Sequence, residues 1–424
     1  MKYLTINGKK EPCPAFPHHK RYIYEVKRFF RPKSFMTHVF MDRFIALGEL
    51  LRGLRNGTPI PRVLLIDPTS SCNLHCKGCW AADYAKGDNL SREKLDDLFT
   101  QAEKLGIRYI MLSGGEPLMR KEDILLLCRE HPKLVFGAFT NATLVDEAFA
   151  DSMAQLENLM LFISIEGTRE ETDFRRGEGV YDRALEAMRL LKERNLAFAF
   201  SACYHAGNYL TIAGDDFLDD MRRRGCWFGW LFNYVPVGKD ADISLVCSAQ
   251  QRTHVAKHIT DYCQRHDYLI IDFWNNGHTA YGCAAAGSGF THINAKGDVE
   301  PCAFCHYSDS NIHDMTLVEA LRSPFFTKFR AGQPFSDNPY RSCPMVDVPD
   351  ALVSVVSGTG ACSTHYSAPE TAEELIAKTL PGAEGWKPAA ETLMGGMSPK
   401  SLIIHRIYVR FLRFRRRITD ERRK

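Results

Sequence analysis

RVLLIDPTSSCNLHCKGCW, residues 62–80, decides the reading of this chain. It opens with a short apolar run, RVLLID at 62–67, bounded by a proline, as a buried strand would be. Cys72, Cys76 and Cys79 follow at once, spaced C-x3-C-x2-C. Chance would produce that spacing only about 0.015 times in a chain of this cysteine content. Thiolates are soft ligands, and clustered thiolates select zinc or iron–sulfur. A structural zinc site is usually closed by four ligands. Three thiolates on a four-iron cube leave one iron free for another molecule.

Outward from this stretch, short apolar runs alternate with amphipathic segments. Strands are expected at 62–67, 108–112, 134–139, 160–165, 197–203 and 230–235. Helices are expected between them at 91–105, 121–131, 146–155, 180–194 and 215–224. Serial β–α units imply a parallel sheet with helices outside. Six units fall short of a closed barrel, so the expected fold is α/β, a partial (β/α)6 TIM-like barrel. In such folds the chemistry lies on loops after the C-terminal ends of strands, and the three cysteines occupy the first such loop. A helical N-terminal extension is expected over 1–61, irregular to residue 20, and the barrel over 62–240. A loop-rich, cysteine-containing C-terminal region follows over 241–380. Residues 381–424 read as a Gly/Pro linker and a basic helix at 401–418.

The 424 residues are 45% hydrophobic and 25% charged, the balance of a globular protein. No run of 18 uncharged apolar residues occurs, and the start has no apolar core of signal type. A cytoplasmic, thiol-reducing location is expected, which argues against reading the fourteen cysteines as a disulfide framework. Cys13, Cys128, Cys203, Cys226, Cys247 and Cys263 are scattered and read as small buried residues.

The motifs after the later strands resemble, in order, those of the radical S-adenosylmethionine (SAM) superfamily. C-x3-C-x2-C is flanked by Thr69, Asn73, Leu74 and Trp80. Gly114-Gly115-Glu116-Pro117 follows strand two, where the glycines permit close backbone approach to a ligand and Glu116 offers a carboxylate to an ammonium group. Thr140-Asn141-Ala142 follows strand three, with Ala142 where the family often has glycine. Ser164 and Glu166 follow strand four and resemble ribose-contacting positions. Asp173 and Arg176-Gly177 resemble an Asp-x-x-Arg-Gly stretch, with Thr172 where a histidine is common, and Arg176 on the SAM carboxylate side. Pro236-Val237-Gly238 resembles an adenine-side turn. The resemblance implies a 4Fe–4S cluster on Cys72, Cys76 and Cys79 whose open iron chelates SAM. Reductive cleavage would then give methionine and a 5′-deoxyadenosyl radical that abstracts hydrogen from a substrate. The cofactors carry that chemistry, and the protein orients them and excludes water.

Cys283, Cys302 and Cys305, with Gly297 between, resemble the start of a SPASM or shorter twitch auxiliary-cluster region. HINAKGDVEPC at 292–302 reads as a β-hairpin. With Cys343 as a further ligand, one auxiliary 4Fe–4S cluster is expected. Cys362 is a weaker candidate, and a structural zinc is the alternative. His278 and His306 read as structural histidines near a substrate space.

Charge is uneven. Net charge is +3, but residues 400–424 carry +8 and residues 1–35 carry +7, leaving −12 on the body. That pattern does not suit a nucleic-acid partner. In 401–418, Ile403, Ile407, Phe411, Phe414 and Ile418 share one helical face beside Arg406, Arg410, Arg413 and Arg417. Such a helix either lies peripherally at the inner face of a membrane or packs on the acidic body. The expected substrate is a peptide or protein. The alternatives are a lipid or isoprenoid at a membrane, and a non-catalytic iron–sulfur electron carrier or sensor. A reductant such as flavodoxin or ferredoxin is the expected redox partner.

Overall fold

The computed structural model describes residues 3–6, 9–12, 47–82 and 87–421. Tyr3–Ile6 and Lys9–Pro12 pair as an antiparallel hairpin where an irregular lead was expected. Of the helical extension expected beyond residue 20, residues 47–56 are helical; residues 21–46 lie outside the described residues.

One nine-stranded sheet organises the chain. Its strands are β1 (Val63–Ile66), β2 (Tyr109–Leu112), β3 (Val135–Thr140), β4 (Leu159–Ser164), β5 (Phe198–Tyr204), β6 (Gly229–Asn233), β7 (Ile270–Asp272), β8 (Phe290–Ile293) and β9 (Val299–Glu300). Their order is β9-β8-β1-β2-β3-β4-β5-β6-β7. Pairing is parallel throughout except between β8 and β9. The six expected β–α units are all present, and the sheet curls as a partial TIM-like barrel. It is wider than expected at both edges. β7 follows the 18-residue helix Ala249–His266. β8 pairs in parallel with β1, Ile293 opposite Ile66, and so brings the late-cysteine region against the first cysteine loop. The expected hairpin at 292–302 is the β8–β9 turn.

The helices form where start and stop chemistry agrees with the apolar stripe. In Arg92–Leu105, Ser91 accepts from the Lys94 amide, Gly106 closes the helix in the left-handed region (φ 76°), and Leu95, Leu98, Phe99 and Ala102 face the sheet. Burial of those side chains on Leu64, Ile66, Ile110, Leu112 and Phe136 forms the main core. The other face of the sheet carries Met111, Met160, Phe162 and Phe228 with half-buried Phe139 and Trp230.

The expected linker at 381–400 is instead mostly helix. Ala372–Gly395 runs unbroken through Pro381 and Pro388. A capping box at Thr371/Glu374 starts it. Trp386 holds it down, donating from Nε1 to the Tyr340 carbonyl at 2.7 Å beneath the Arg252 guanidinium. This tertiary anchoring overrides the prolines' cost. Pro399–Glu421 is the last helix.

Candidate active site

The cysteine loop is held by the segments after four other strands. The Gly115 amide donates to the Thr69 carbonyl (3.0 Å), and the Glu116 amide to that of Ser71 (2.9 Å). A Cβ on Gly115 would meet the Ser71 carbonyl oxygen at 2.2 Å, and one on Gly114 that of Thr69 at 2.5 Å. These glycines thus permit close approach to the cysteine loop itself. Asn141 Nδ2 donates to Asn73 Oδ1 (2.9 Å), and Asn73 Nδ2 to Thr143 Oγ1 (2.8 Å). The Lys77 amide donates to the Arg175 carbonyl (2.8 Å). Gly238, at φ 90°, packs under the Cys79 and Trp80 carbonyls.

Glu116 is buried. Its carboxylate accepts from the Leu118 amide (3.0 Å), Thr140 Oγ1 (2.7 Å) and the Asn141 amide (2.7 Å). Burial still raises its pKa. A carboxylate offers about four acceptor directions, so one is left for the ammonium group the sequence assigned it. Its larger visible work is to tie the β2 loop to the β3 loop. Pro117 begins the short turn that follows.

Glu166 is the second buried carboxylate. It accepts from Arg175 Nη1 (2.8 Å), Arg176 Nε (2.7 Å) and the Cys203 amide (2.8 Å). Burial pushes its carboxyl up, but Arg176 and Arg175 outweigh that and hold it below its ordinary 4.5. Arg175 is buried with it. Thr172 Oγ1 accepts from the Glu166 amide (3.1 Å). Asp173 accepts from the Gly179 and Tyr181 amides and so starts the next helix. Ser164 is buried at the end of β4.

Burial raises the Cys72 thiol to about 12, and the proximity of Glu116, Cys76 and Cys79 adds to it. Cys79 is raised for the same first reason, with Cys76 beside it. The late cysteines behave alike. Cys302 lies near Cys343 and Cys283, and Cys305 near all three; burial lifts both thiols far above the ordinary range. Cys343 is raised to about 12, again by burial first. Cys283, Cys302, Cys305 and Cys343 are thus brought together. Cys362 is exposed on a separate ribbon, Tyr307–Ser308 paired with Cys362–Ser363. Thiols held protonated by burial become thiolates when a cationic centre replaces the protons. Both sets suit an iron–sulfur cluster in that sense. Among the described residues, no three His, Cys, Asp or Glu side chains stand close enough to hold a single metal ion.

A buried polar chain, not anticipated from sequence, lies between the sets. His292 reaches Asp67 at 3.0 Å and Glu300 at 2.6 Å. Burial opposes its charge, yet Asp67 and Glu300 raise its pKa to about 10. Trp80, next to Cys79, stacks on His306 (6.0 Å, 14°) and tilts on Phe304 (5.7 Å), so one indole touches both cysteine regions. His306 is buried, with its ring also 4.2 Å from that of His365; the His278 side chain lies outside the described residues. A second chain runs Asp272, Asn275, Arg252, Asp347 and ends on the Cys343 amide. The only sequence signal for either chain was polar residues inside strands and helices that ought to be apolar.

The family model "Radical SAM superfamily" matches residues 66–220, and "Iron-sulfur cluster-binding domain" (SPASM) matches residues 283–345. An AdoMet-dependent heme synthase of Oleidesulfovibrio alaskensis is 26% identical over 67% of this chain and 80% of its own. A PqqA peptide cyclase of Granulibacter bethesdensis is 24% identical over 67% of this chain and 79% of its own. The crystal structure of Streptococcus suis SuiB bound to precursor peptide SuiA shares the fold: TM-score 0.55, 17% identity, 71% of this chain and 76% of that one.

Proposed function

Because this chain is a radical SAM enzyme carrying a SPASM iron–sulfur region, we propose that it uses SAM cleavage to abstract hydrogen from a peptide. Cys72, Cys76 and Cys79 are the proposed holders of the SAM-binding 4Fe–4S cluster. Cys283, Cys302, Cys305 and Cys343 are the proposed holders of one auxiliary cluster. When bound, the first cluster supplies the electron that splits SAM into methionine and a 5′-deoxyadenosyl radical. The chain's own work is placement. Gly114, Gly115, Glu116 and Pro117 brace the cysteine loop from β2, and Asn141 braces it from β3. Arg175 and Arg176, fixed by Glu166, set positive charge beside Cys76 and Cys79. Such charge favours thiolates and an anionic carboxylate nearby. Gly114, Gly115, Glu116, Pro117 and Asn141 after β2 and β3, and Ser164, Glu166 and Arg176 after β4, remain the proposed SAM contacts. A low-potential one-electron protein such as flavodoxin or ferredoxin would supply the electron.

The observation that carries this reading is the clamping of the C-x3-C-x2-C loop by the segments after four other strands. A peptide substrate is supported by the PqqA peptide cyclase relative. A second reading, a flat haem-type macrocycle, has its own support. Phe139, Trp230 and Phe232 stack or meet edge-on across the helix-free face, and Phe232 continues to Phe273, Trp274 and Phe304. Such a wall suits aromatic stacking, and a heme synthase is among the relatives.

The test is anaerobic incubation of reconstituted protein with SAM and dithionite. The proposal expects 5′-deoxyadenosine from the native chain and none from Cys76→Ala; equal amounts from both would refute it. Deuterium appearing in 5′-deoxyadenosine from a labelled peptide supports the first substrate reading, and from a labelled porphyrin the second.

A further inference from the structure

Pro399–Glu421 is packed the wrong way round for an ordinary surface helix. The side chains it turns inward are His405, Val409, Arg415, Arg416 and Thr419. Arg415 reaches Glu49 and donates to the Ser288 carbonyl (3.2 Å); Arg416 Nε donates to Ser288 Oγ (3.1 Å). Asp420 accepts from buried Arg330 at 2.7 Å. These contacts lock the helix to the body through polar groups, as the reading of a tail packed on the acidic body expected.

Three apolar side chains point the other way, while Phe411 and Ile418 of the expected apolar face are half-buried. Ile403 is 56% exposed, Ile407 59% and Phe414 50%. Arg406, Arg410, Arg413 and Arg417 are exposed with them. Positions 403, 406, 407, 410, 413, 414 and 417 follow helical spacing, so all seven lie on one face. That face is about 21 Å long. Beside it, the helix at 47–56 adds Leu47 and Leu51, 50% and 58% exposed. The two helices are joined by the Glu49–Arg415 pair, and Gly53 lies against Thr419.

A helix that buries arginines and presents isoleucines to water has its apolar surface reserved for something else. Arg406 and Arg410 lie within that surface, and Arg413 and Arg417 flank it while paired to Asp337 (3.3 Å) and Glu421 (3.6 Å); these cations name the chemistry of the occupant. It must be apolar within and anionic at its rim. We propose that this face docks peripherally on an anionic phospholipid surface, with Ile403, Ile407 and Phe414 entering the acyl boundary and the arginines meeting the headgroups. No helix among the described residues is long and apolar enough to cross a membrane, so the contact is a docking and not an insertion. The proposal is independent of the reaction the barrel performs.

The experiment is co-sedimentation of the full, cluster-loaded chain with vesicles. One set is phosphatidylcholine alone, the other equal parts phosphatidylcholine and phosphatidylglycerol. The native chain should sediment with the anionic vesicles, not the neutral ones, and less as salt rises. Ile403→Ser/Ile407→Ser/Phe414→Ser and Arg406→Ala/Arg410→Ala should each weaken binding by about tenfold or more. Circular dichroism and iron content matching the native chain establish that each variant is folded. Failure of the native chain to sediment with anionic vesicles overturns the proposal, whether residues 13–46 or an acidic protein covers the face instead. So does unchanged binding by both folded variants.

Discussion

Glu166 holds two guanidinium groups and one backbone amide on a carboxylate that solvent does not reach. Removing its charge leaves Arg175 and Arg176 buried without their counter-ion. Glu166→Gln should therefore cost about 3–5 kcal/mol, measured by denaturant unfolding. The pH sign follows from the depressed carboxyl. Its stabilisation is complete above the ordinary 4.5 and is lost as pH falls through the lower folded value. The native chain should lose stability across that acid range more steeply than the variant; parallel acid profiles would show that Glu166 is not the group responsible. Gly115→Ala forces a methyl group onto the Ser71 carbonyl. It should reduce the iron held by the first cysteine loop while leaving the auxiliary iron, an outcome read by comparing the iron content of Gly115→Ala with that of Gly115→Ala/Cys302→Ala, which should be lower by about four irons. At this scale, sequence reading succeeds where the chemistry is local. C-x3-C-x2-C is one loop, and its spacing is visible without a fold. It fails for Arg175 and His292, because their partners come from other strands: Asp67 lies 225 positions before His292 in the numbering.

The elements were legible wherever an apolar period carried them. β1 to β6 and the five helices expected between them fall within about two residues of their expected bounds, while Arg169–Arg176 and Tyr209–Ala213 were not anticipated. β7 is three residues long and β9 two, too short for any periodic signal. Helix Arg169–Arg176 is almost wholly polar and is written by its Thr168/Glu171 capping box. The sequence marks a short helix at 369–380, but its continuation through 381–395 was hidden by Pro381 and Pro388, the strongest local breakers. Its existence depends on distant contacts, above all Trp386 on Tyr340 and Arg252. Trp386→Ala should cost about 3–5 kcal/mol and loosen the segment bearing Cys343. Loss of auxiliary iron with the first cluster retained is the expected result. Thr371→Ala, which removes only the cap, should cost about 1 kcal/mol and leave both iron sites intact. If the two variants lost iron equally, the tryptophan anchor would not be what positions Cys343.

Taken whole, the molecule joins two cysteine regions by adding β8 to the edge strand β1, so that a hairpin from the last third of the chain completes the first third's site. The sequence motifs named both regions, but nothing in them said that Trp80 would touch Phe304 and His306. That contact exists only once β8 lies on β1. The arrangement predicts separable iron. Cys302→Ala should lose about four irons, the content of one cube, and keep SAM binding at Cys72, Cys76 and Cys79. The most direct test of the central claim is electron paramagnetic resonance of the dithionite-reduced Cys302→Ala protein, before and after adding SAM. The account predicts a 4Fe–4S signal from the three-cysteine loop whose g-values shift on SAM addition, as an open iron gains a ligand. A reduced cluster signal that SAM leaves unchanged, or no cluster signal at all in folded protein, would contradict it.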